Sequence, residues 1–399
     1  IMVYTISMQR VDLENFKNKK TALVLSGGVV KAAAWHIGVA LALEELGFTF
    51  KSNSSVTNSD HEISTYVGSS AGSLVGLFFA SGFGPQDIIK SMLEKNYKRL
   101  PPITYKDMMT VRRVMGKPPR GLFYDPFESL PFFFKQVLRP LRNISGFFST
   151  GGLHDYIKRN VLISNSFEDY AADLFIIATQ LDHSRKVIFS KYKYPNPRHD
   201  STSTYYVGMP VAESVAASMS IPPFYCPYPI WNSKTEEVDY YIDGEIRDTL
   251  STHVAVDNGC KVIISSWTHT PYHYHDEIGS LVNHGIPAIV LQAIHLTIQK
   301  KIVESRAKRK TAEDIIETVS DFMKRNKMTD SHRRNILSIL ERKLNYKKDV
   351  HFIDIYPKHE NYKVFFKNSF SLDPKTNTEV VSAGYSRTME IFRNHEWEN

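Results

Sequence analysis

Ile63-Ser-Thr-Tyr-Val-Gly68-Ser-Ser-Ala-Gly72-Ser-Leu-Val-Gly-Leu-Phe-Phe-Ala80 sets an apolar run, a turn of small residues and a second apolar run in direct succession. Residues 63–67 read as a buried strand and 74–80 as a buried helix. The turn between them fits the pattern G-x-S-x-G, with Ser70 at its centre. The logic of that pattern is steric. A serine at the apex of a cramped strand-to-helix turn projects its hydroxyl outward, and glycines two positions away on either side leave room for the backbone and for a substrate. The helix that follows aims its positive amino-terminal end at the reaction centre. Ser69 and Ser73 lack flanking glycines at that spacing and are not candidates.

The same arrangement occurs upstream. Thr21-Ala-Leu-Val-Leu25 reads as a strand, Ser26-Gly-Gly-Val-Val-Lys31 as a turn, and residues 31–46 as a helix stopped by Gly47. The turn has neither the G-x-G-x-x-G of a dinucleotide site nor the Gly-Lys-Ser/Thr of a triphosphate loop. It is either a plain tight turn between strand and helix or a set of free backbone N–H groups at a helix start presented to an anion, as an acyl-transfer enzyme requires for the oxyanion of its tetrahedral intermediate. A serine also needs a base. Asp243, in Tyr240-Tyr-Ile-Asp-Gly-Glu245, falls at the carboxyl end of an expected strand, where open α/β sheets place their sites. Taken alone, an Asp-Gly pair is equally a turn former.

Further strands are expected at 174–178, 186–189, 238–242, 261–265 and 350–355, and helices at 85–95, 153–159, 211–219, 284–305 and 382–393. Strands alternating with helices imply an α/β fold with a mostly parallel sheet covered on both faces. Two stretches read as additions to that core. Residues 100–150 mix Phe132-Phe-Phe134 and other aromatics with Arg112, Arg113, Lys135 and Arg139. They are either a packing insertion or a lid and membrane-contact surface, with Phe132, Phe133 and Phe134 entering the headgroup layer. Residues 300–349 form a basic helical addition, read from 311 to 346 as two polar helices joined around Met328-Thr-Asp-Ser331.

Composition narrows the class. Hydrophobic residues make up 42% of the 399 and charged residues 23%, so disordered, collagen-like and coiled-coil chains are excluded. Only Cys226 and Cys260 are present, which excludes a disulfide framework and a cysteine zinc site and leaves two reduced structural thiols. Residues 300–349 carry fifteen Lys and Arg against eight Asp and Glu, an excess equal to the +7 of the whole chain. No aromatics interleave with those cations as in RNA-binding platforms, so they read as solvated helix faces and no nucleic-acid partner is expected. Residues 1–20 do not read as a signal segment. No window reaches ~18 consecutive apolar residues; residues 286–298, broken by Gln292 and His295, read as a buried helix.

Together, Leu23-Val-Leu-Ser-Gly-Gly-Val-Val-Lys31, His36-Ile-Gly-Val39, Gly68-Ser-Ser-Ala-Gly72 and Asp243-Gly244 resemble the patatin-like phospholipases. Phe175-Ile-Ile-Ala-Thr179, Ala217-Ser218 with Ile221-Pro222, and Ser382-Ala-Gly-Tyr385 follow in the family's order, so the likeness spans residues 21–392, interrupted by the two additions. The resemblance implies a three-layer α/β/α fold and a serine-dependent lipid acyl hydrolase, of phospholipase A or lysophospholipase type. Ser70 would be the nucleophile and Asp243 the general base of a Ser–Asp dyad, with an oxyanion hole around Gly27, Gly28 and Val29. It implies no metal or organic cofactor and a phospholipid surface as partner; an activating protein and the oligomeric state are not specified. The expected location is the cytoplasm or a membrane periphery, with export lacking a cleaved signal as the alternative.

The chain departs from the family at Val29, where a third glycine is usual, at Ala32, at the extra Trp35 and at Glu245, where a small residue is usual. Val29 is tolerable if its φ is negative. Glu245 either brings a second carboxyl to Asp243 and raises its pKa, or points to solvent. Two alternatives follow: a catalytically impaired lipid-binding protein that keeps the fold, and a Ser-His-Asp esterase using His253. His36, inside the first helix, reads as a structural histidine.

Overall fold

β1 (Thr21–Leu25) is buried at every position, as a strand covered on both faces must be. Its alternate residues divide between two cores. Leu23 and Leu25 join the side that holds Trp35, Leu74 and Phe392, while Ala22 and Val24 join the side that holds Phe175, Val254 and Cys260. In the computed structural model, which describes residues 13–54, 59–94, 96–111, 131–133, 145–193, 203–232 and 235–394, the remaining strands are β2 (Thr49–Phe50), β3 (Glu62–Ser69), β4 (Asp173–Gln180), β5 (Arg185–Phe189), β6 (Ser203–Tyr206), β7 (Tyr228–Asn232), β8 (Glu237–Asp243), β9 (Val262–Ser266) and β10 (His351–Ile355). The helices are α1 (Val29–Glu45), α2 (Ala71–Ala80), α3 (Pro85–Leu93), α4 (Tyr105–Met108), α5 (Gly151–Asn160), α6 (Val211–Ser218), α7 (Thr252–Asp257), α8 (Gly285–Arg325), α9 (Asp330–Leu344), α10 (Tyr362–Phe366) and α11 (Pro374–Asn394).

The sheet runs β10-β9-β1-β3-β4-β5-β6. From β10 to β4 every pairing is parallel, so the mostly parallel, three-layer α/β/α expectation holds. Beyond β4 the order changes, since β5 and β8 both pair with it antiparallel and β7 pairs antiparallel with β8. The short link between β4 and β5 cannot accommodate a crossover helix, so the second strand must run back.

α1 and α11 pack closely through two glycines. A Cβ at Gly38 would lie 2.0 Å from the Val381 carbonyl oxygen, and one at Gly384 would lie 2.5 Å from that of Trp35. The glycines of His36-Ile-Gly-Val39 and Ser382-Ala-Gly-Tyr385 are therefore opposite halves of one contact. Trp35 is fully buried in it. Cys226 and Cys260 are free and buried, as expected.

Two expectations need correction. The helix expected at 284–305 does not end there: α8 runs unbroken to Arg325, because neither glycine nor proline follows Pro287 within it. The break between α8 and α9 falls at residues 326–329 and so overlaps only the start of the joint expected around Met328 to Ser331. Residues 286–298 are helical but mostly exposed, with only His295 and Ile298 buried. This helix is long and apolar enough to cross a membrane, yet only 11% of its most apolar window is buried. Phe132 and Phe133 are exposed, and Phe134 lies outside the described residues, as do 112–130 and 135–144.

Candidate active site

Strand β4 brings the two catalytic candidates together. Its residues Asp173 to Ile177 pair with Thr65 to Ser69 of β3, and β8 takes over at once, Asp243 pairing with Ala178. Ser69 and Asp243 thus sit opposite consecutive residues of one strand, although they are far apart in sequence. Ser70 follows at the turn with φ 51° and ψ −124°, a conformation that costs a non-glycine residue about 1–3 kcal/mol and marks functional turns. The flanking glycines are required. A Cβ at Gly68 would lie 2.5 Å from the backbone of Gly72 and Ser73, and one at Gly72 would lie 2.3 Å from the Leu25 carbonyl oxygen.

The carboxyl end of α6 braces both partners. Ser70 N–H donates to Ser218 Oγ (2.8 Å), and the Ser218 hydroxyl donates onward to the Ile177 carbonyl (2.6 Å). Asp243 N–H donates to the Ser220 carbonyl at 3.0 Å. The pair Ala217-Ser218 carried only resemblance in the sequence; its hydroxyl is what holds the elbow.

Asp243 is fully buried, and burial pushes its carboxyl up to about 7. The Ser70 hydroxyl and the Glu245 N–H draw it partly back. Asp243 Oδ1 accepts from Glu245 N–H at 2.9 Å. Ser70 is the neighbour of the carboxyl, but Oδ2 has no partner of full hydrogen-bond geometry. Contacts of this kind tighten in the substrate complex.

Gly27, Gly28 and Val29 form the turn above Ser70, where a Cβ on Gly27 would lie 2.8 Å from that of Ser70. The donors of this turn are unequally occupied. The N–H groups of Val30 and Lys31 donate to the Ser369 carbonyl at 2.9 and 3.3 Å. Gly27 N–H donates to Glu245 Oε1 at 2.8 Å. Among the described residues, no bond engages the N–H groups of Gly28 or Val29. Val29 has φ 59°, not the negative value that would make it unstrained. A β-branched residue there is held at a cost of roughly 1–2 kcal/mol, which fixes its N–H beside that of Gly28.

Of the two orientations open to Glu245, the structure has the inward one. Its carboxyl is buried over the Gly27 end of the turn, and burial together with the Asp243 charge pushes it up to about 8. Among the described residues, neither its Oε2 nor Thr268 Oγ1 beside Gly28 has a partner of full hydrogen-bond geometry.

The cleft opens into a cavity of about 510 Å³ lined by Leu74, Phe78, Ile88, Leu100, Met108 and Leu153. Leu100 and Met108 belong to the stretch read as an addition, so its first part forms the cavity wall. Phe132 and Phe133 do not line it.

Neither histidine serves Ser70. His36 is buried between Ser266 Oγ (2.7 Å) and the Ser26 carbonyl (2.9 Å), pinning the Gly27 turn to β9. Burial lowers it to about 4, so it is neutral. His253 sits 2.8 Å from Lys186 Nζ and 3.8 Å from Asp248. It lines a separate cavity of about 360 Å³ against α8.

No group of acidic, histidine or cysteine side chains able to hold a metal ion occurs among the described residues. No curated protein matches the chain. A sequence model of the patatin-like phospholipase family matches residues 23–256, more than half of the chain and from β1 to α7. With the Gly27 turn, the serine elbow and the Asp-Gly strand end all inside the matched segment, the chain belongs to the patatin-like phospholipase family.

Proposed function

We propose that the protein hydrolyses carboxyl esters of glycerophospholipids or lysophospholipids through an acyl-Ser70 intermediate, working at a phospholipid surface. Family membership supports lipid acyl hydrolysis. The observation that carries the finer reading is the strained Ser70, which lies between a buried carboxyl and an apolar cavity. Asp243 takes the Ser70 proton as Oγ attacks the ester carbonyl. The Gly28 and Val29 N–H groups face the developing oxyanion, each such donor being worth about 10²–10³ in rate. Asp243 returns the proton to the departing alcohol, and water then repeats the sequence on the acyl-enzyme.

The lining of the cavity predicts its substrate. Each buried methylene contributes about 0.8 kcal/mol, so kcat/KM in a series of single-chain esters rises about fourfold per added methylene until the cavity is full. A flat series would contradict an acyl-chain pocket. Fatty-acid release from mixed liposomes by the native chain, and not by Ser70→Ala, tests the substrate class; release of water-soluble acids alone would remove the lipid reading.

The pH profile follows from Asp243. The base must be ionised, and burial holds its pKa near 7, so kcat/KM falls about tenfold per unit below that pH and levels above it. A limb centred near the ordinary carboxylate value of about 4 would show that the base is a different group.

A further inference from the structure

α8 is apolar on two faces in its first half. Inward, Leu291, His295, Ile298 and Ile302 recur at helical spacing. Ile298 and Ile302 pack with Trp267, Leu291 packs with Tyr272 and Phe365, and His295 contacts the Thr270 carbonyl at 3.1 Å. Outward, Ile286, Ile289, Val290, Ala293 and Ile294 recur at the same spacing. Ile286 is 76% exposed, and Ile289, Val290 and Ile294 are each about half exposed. Val282, one turn before Ile286 in sequence, is 73% exposed. A continuous apolar stripe facing water marks an interaction surface.

Charge identifies the partner. The next turns of the same face carry Lys300, Glu304 and Lys308, whereas Lys301 turns to the Ile246 carbonyl at 3.1 Å and Arg306 turns inward to Asp354. Lys308 and Lys310 are exposed. An apolar stripe running into a cationic one matches the interface of an anionic bilayer, with the side chains of one in the acyl boundary and those of the other among the headgroups. The inward face lies against the catalytic turn. Lys31 Nζ donates to the Phe365 carbonyl at 3.5 Å, and the Phe365 ring is 5.2 Å from that of His295. The stripe is thus the outer side of the element whose inner side packs on Phe365, itself in contact with Lys31 of α1.

We infer that the outward face of α8, from Ile286 to Ile294 with the lysines beyond it, docks the protein on an anionic phospholipid surface, lying in the headgroup layer and not crossing it. Crossing would strip Ile298 and Ile302 from Trp267. The choice of occupant rests on the lipid-hydrolase reading.

The test is flotation of the full chain with phosphatidylcholine vesicles, with and without phosphatidylserine, alongside turnover of a soluble short-chain ester. The native chain floats with the anionic vesicles, and less so as salt rises. Ile286→Ser with Ile289→Ser and Val290→Ser weakens flotation about tenfold or more with soluble-ester turnover unchanged. Lys308→Glu with Lys310→Glu removes the preference for phosphatidylserine. A triple variant that floats like the native chain while turning over the ester overturns the inference. So does a native dimer in solution that the triple variant converts to monomer, since a second copy would then cover the face. Flotation without turnover of any ester would leave the docking face standing and defeat the hydrolase reading instead.

Discussion

Asp243→Asn lowers kcat/KM for ester hydrolysis by about 10²–10⁴-fold, the range typical of a lost general base, and Ser70→Ala abolishes the covalent route. The asparagine keeps the shape of the β8 terminus and can still accept from Glu245 N–H, but it cannot take the serine proton. A stability measurement separates loss of chemistry from loss of fold. Burial raises the folded pKa of Asp243 above its unfolded value of about 4. The native state therefore holds this proton more tightly than the unfolded chain, and the stability it contributes is full below about pH 4 and lost as pH rises through about 7. Above pH 8 the native carboxylate is a buried charge that asparagine removes. Asp243→Asn should therefore raise Tm at pH 8 by several degrees and leave it nearly unchanged at pH 4. An inactive variant that is also less stable at pH 8 would point to misfolding, and a fully active one would exclude Asp243 as the base.

Glu245→Ala raises kcat/KM, by about 10–100-fold. Glu245 Oε1 accepts from the Gly27 N–H at 2.8 Å, and its Cγ fills the space a Gly27 side chain would enter. With Gly27 N–H held by that carboxyl oxygen the oxyanion meets only the Gly28 and Val29 N–H groups; removing the side chain frees a third donor, and one donor is worth about 10²–10³ in rate. Glu245→Gln is the control. It keeps an acceptor oxygen of the same reach, so the gain should be small. Equal rates for the native chain and Glu245→Ala would show that the side chain already leaves the turn when substrate enters. A loss in both variants would give Glu245 a positive role.

The elbow, the Gly27 turn and the strand before Asp243 were legible because each is local: a run of apolar residues ending in small ones leaves few backbone choices. His36 was readable as structural from its place inside the first helix. Strand direction beyond β4 was not legible, since alternation of apolar residues marks a strand without marking its sense. Glu245 stood out as a departure, but its reach to Gly27 depends on a rotamer and on a contact across 218 residues. Ser218 carried no chemical signal, as small hydroxyls near a helix end are common. The outward face of α8 was misread for a definite reason. Apolar residues at helical spacing normally mean burial, and here both faces of the helix carry them while only one meets the core.

The most direct measurement is peptide-mapped mass spectrometry of the full chain after reaction with a serine-directed fluorophosphonate. One adduct on the peptide bearing Ser70 is the expected result, absent in Ser70→Ala and slowed in Asp243→Asn. Labelling that persists in Ser70→Ala, or that maps to another serine, would contradict the Ser70–Asp243 centre.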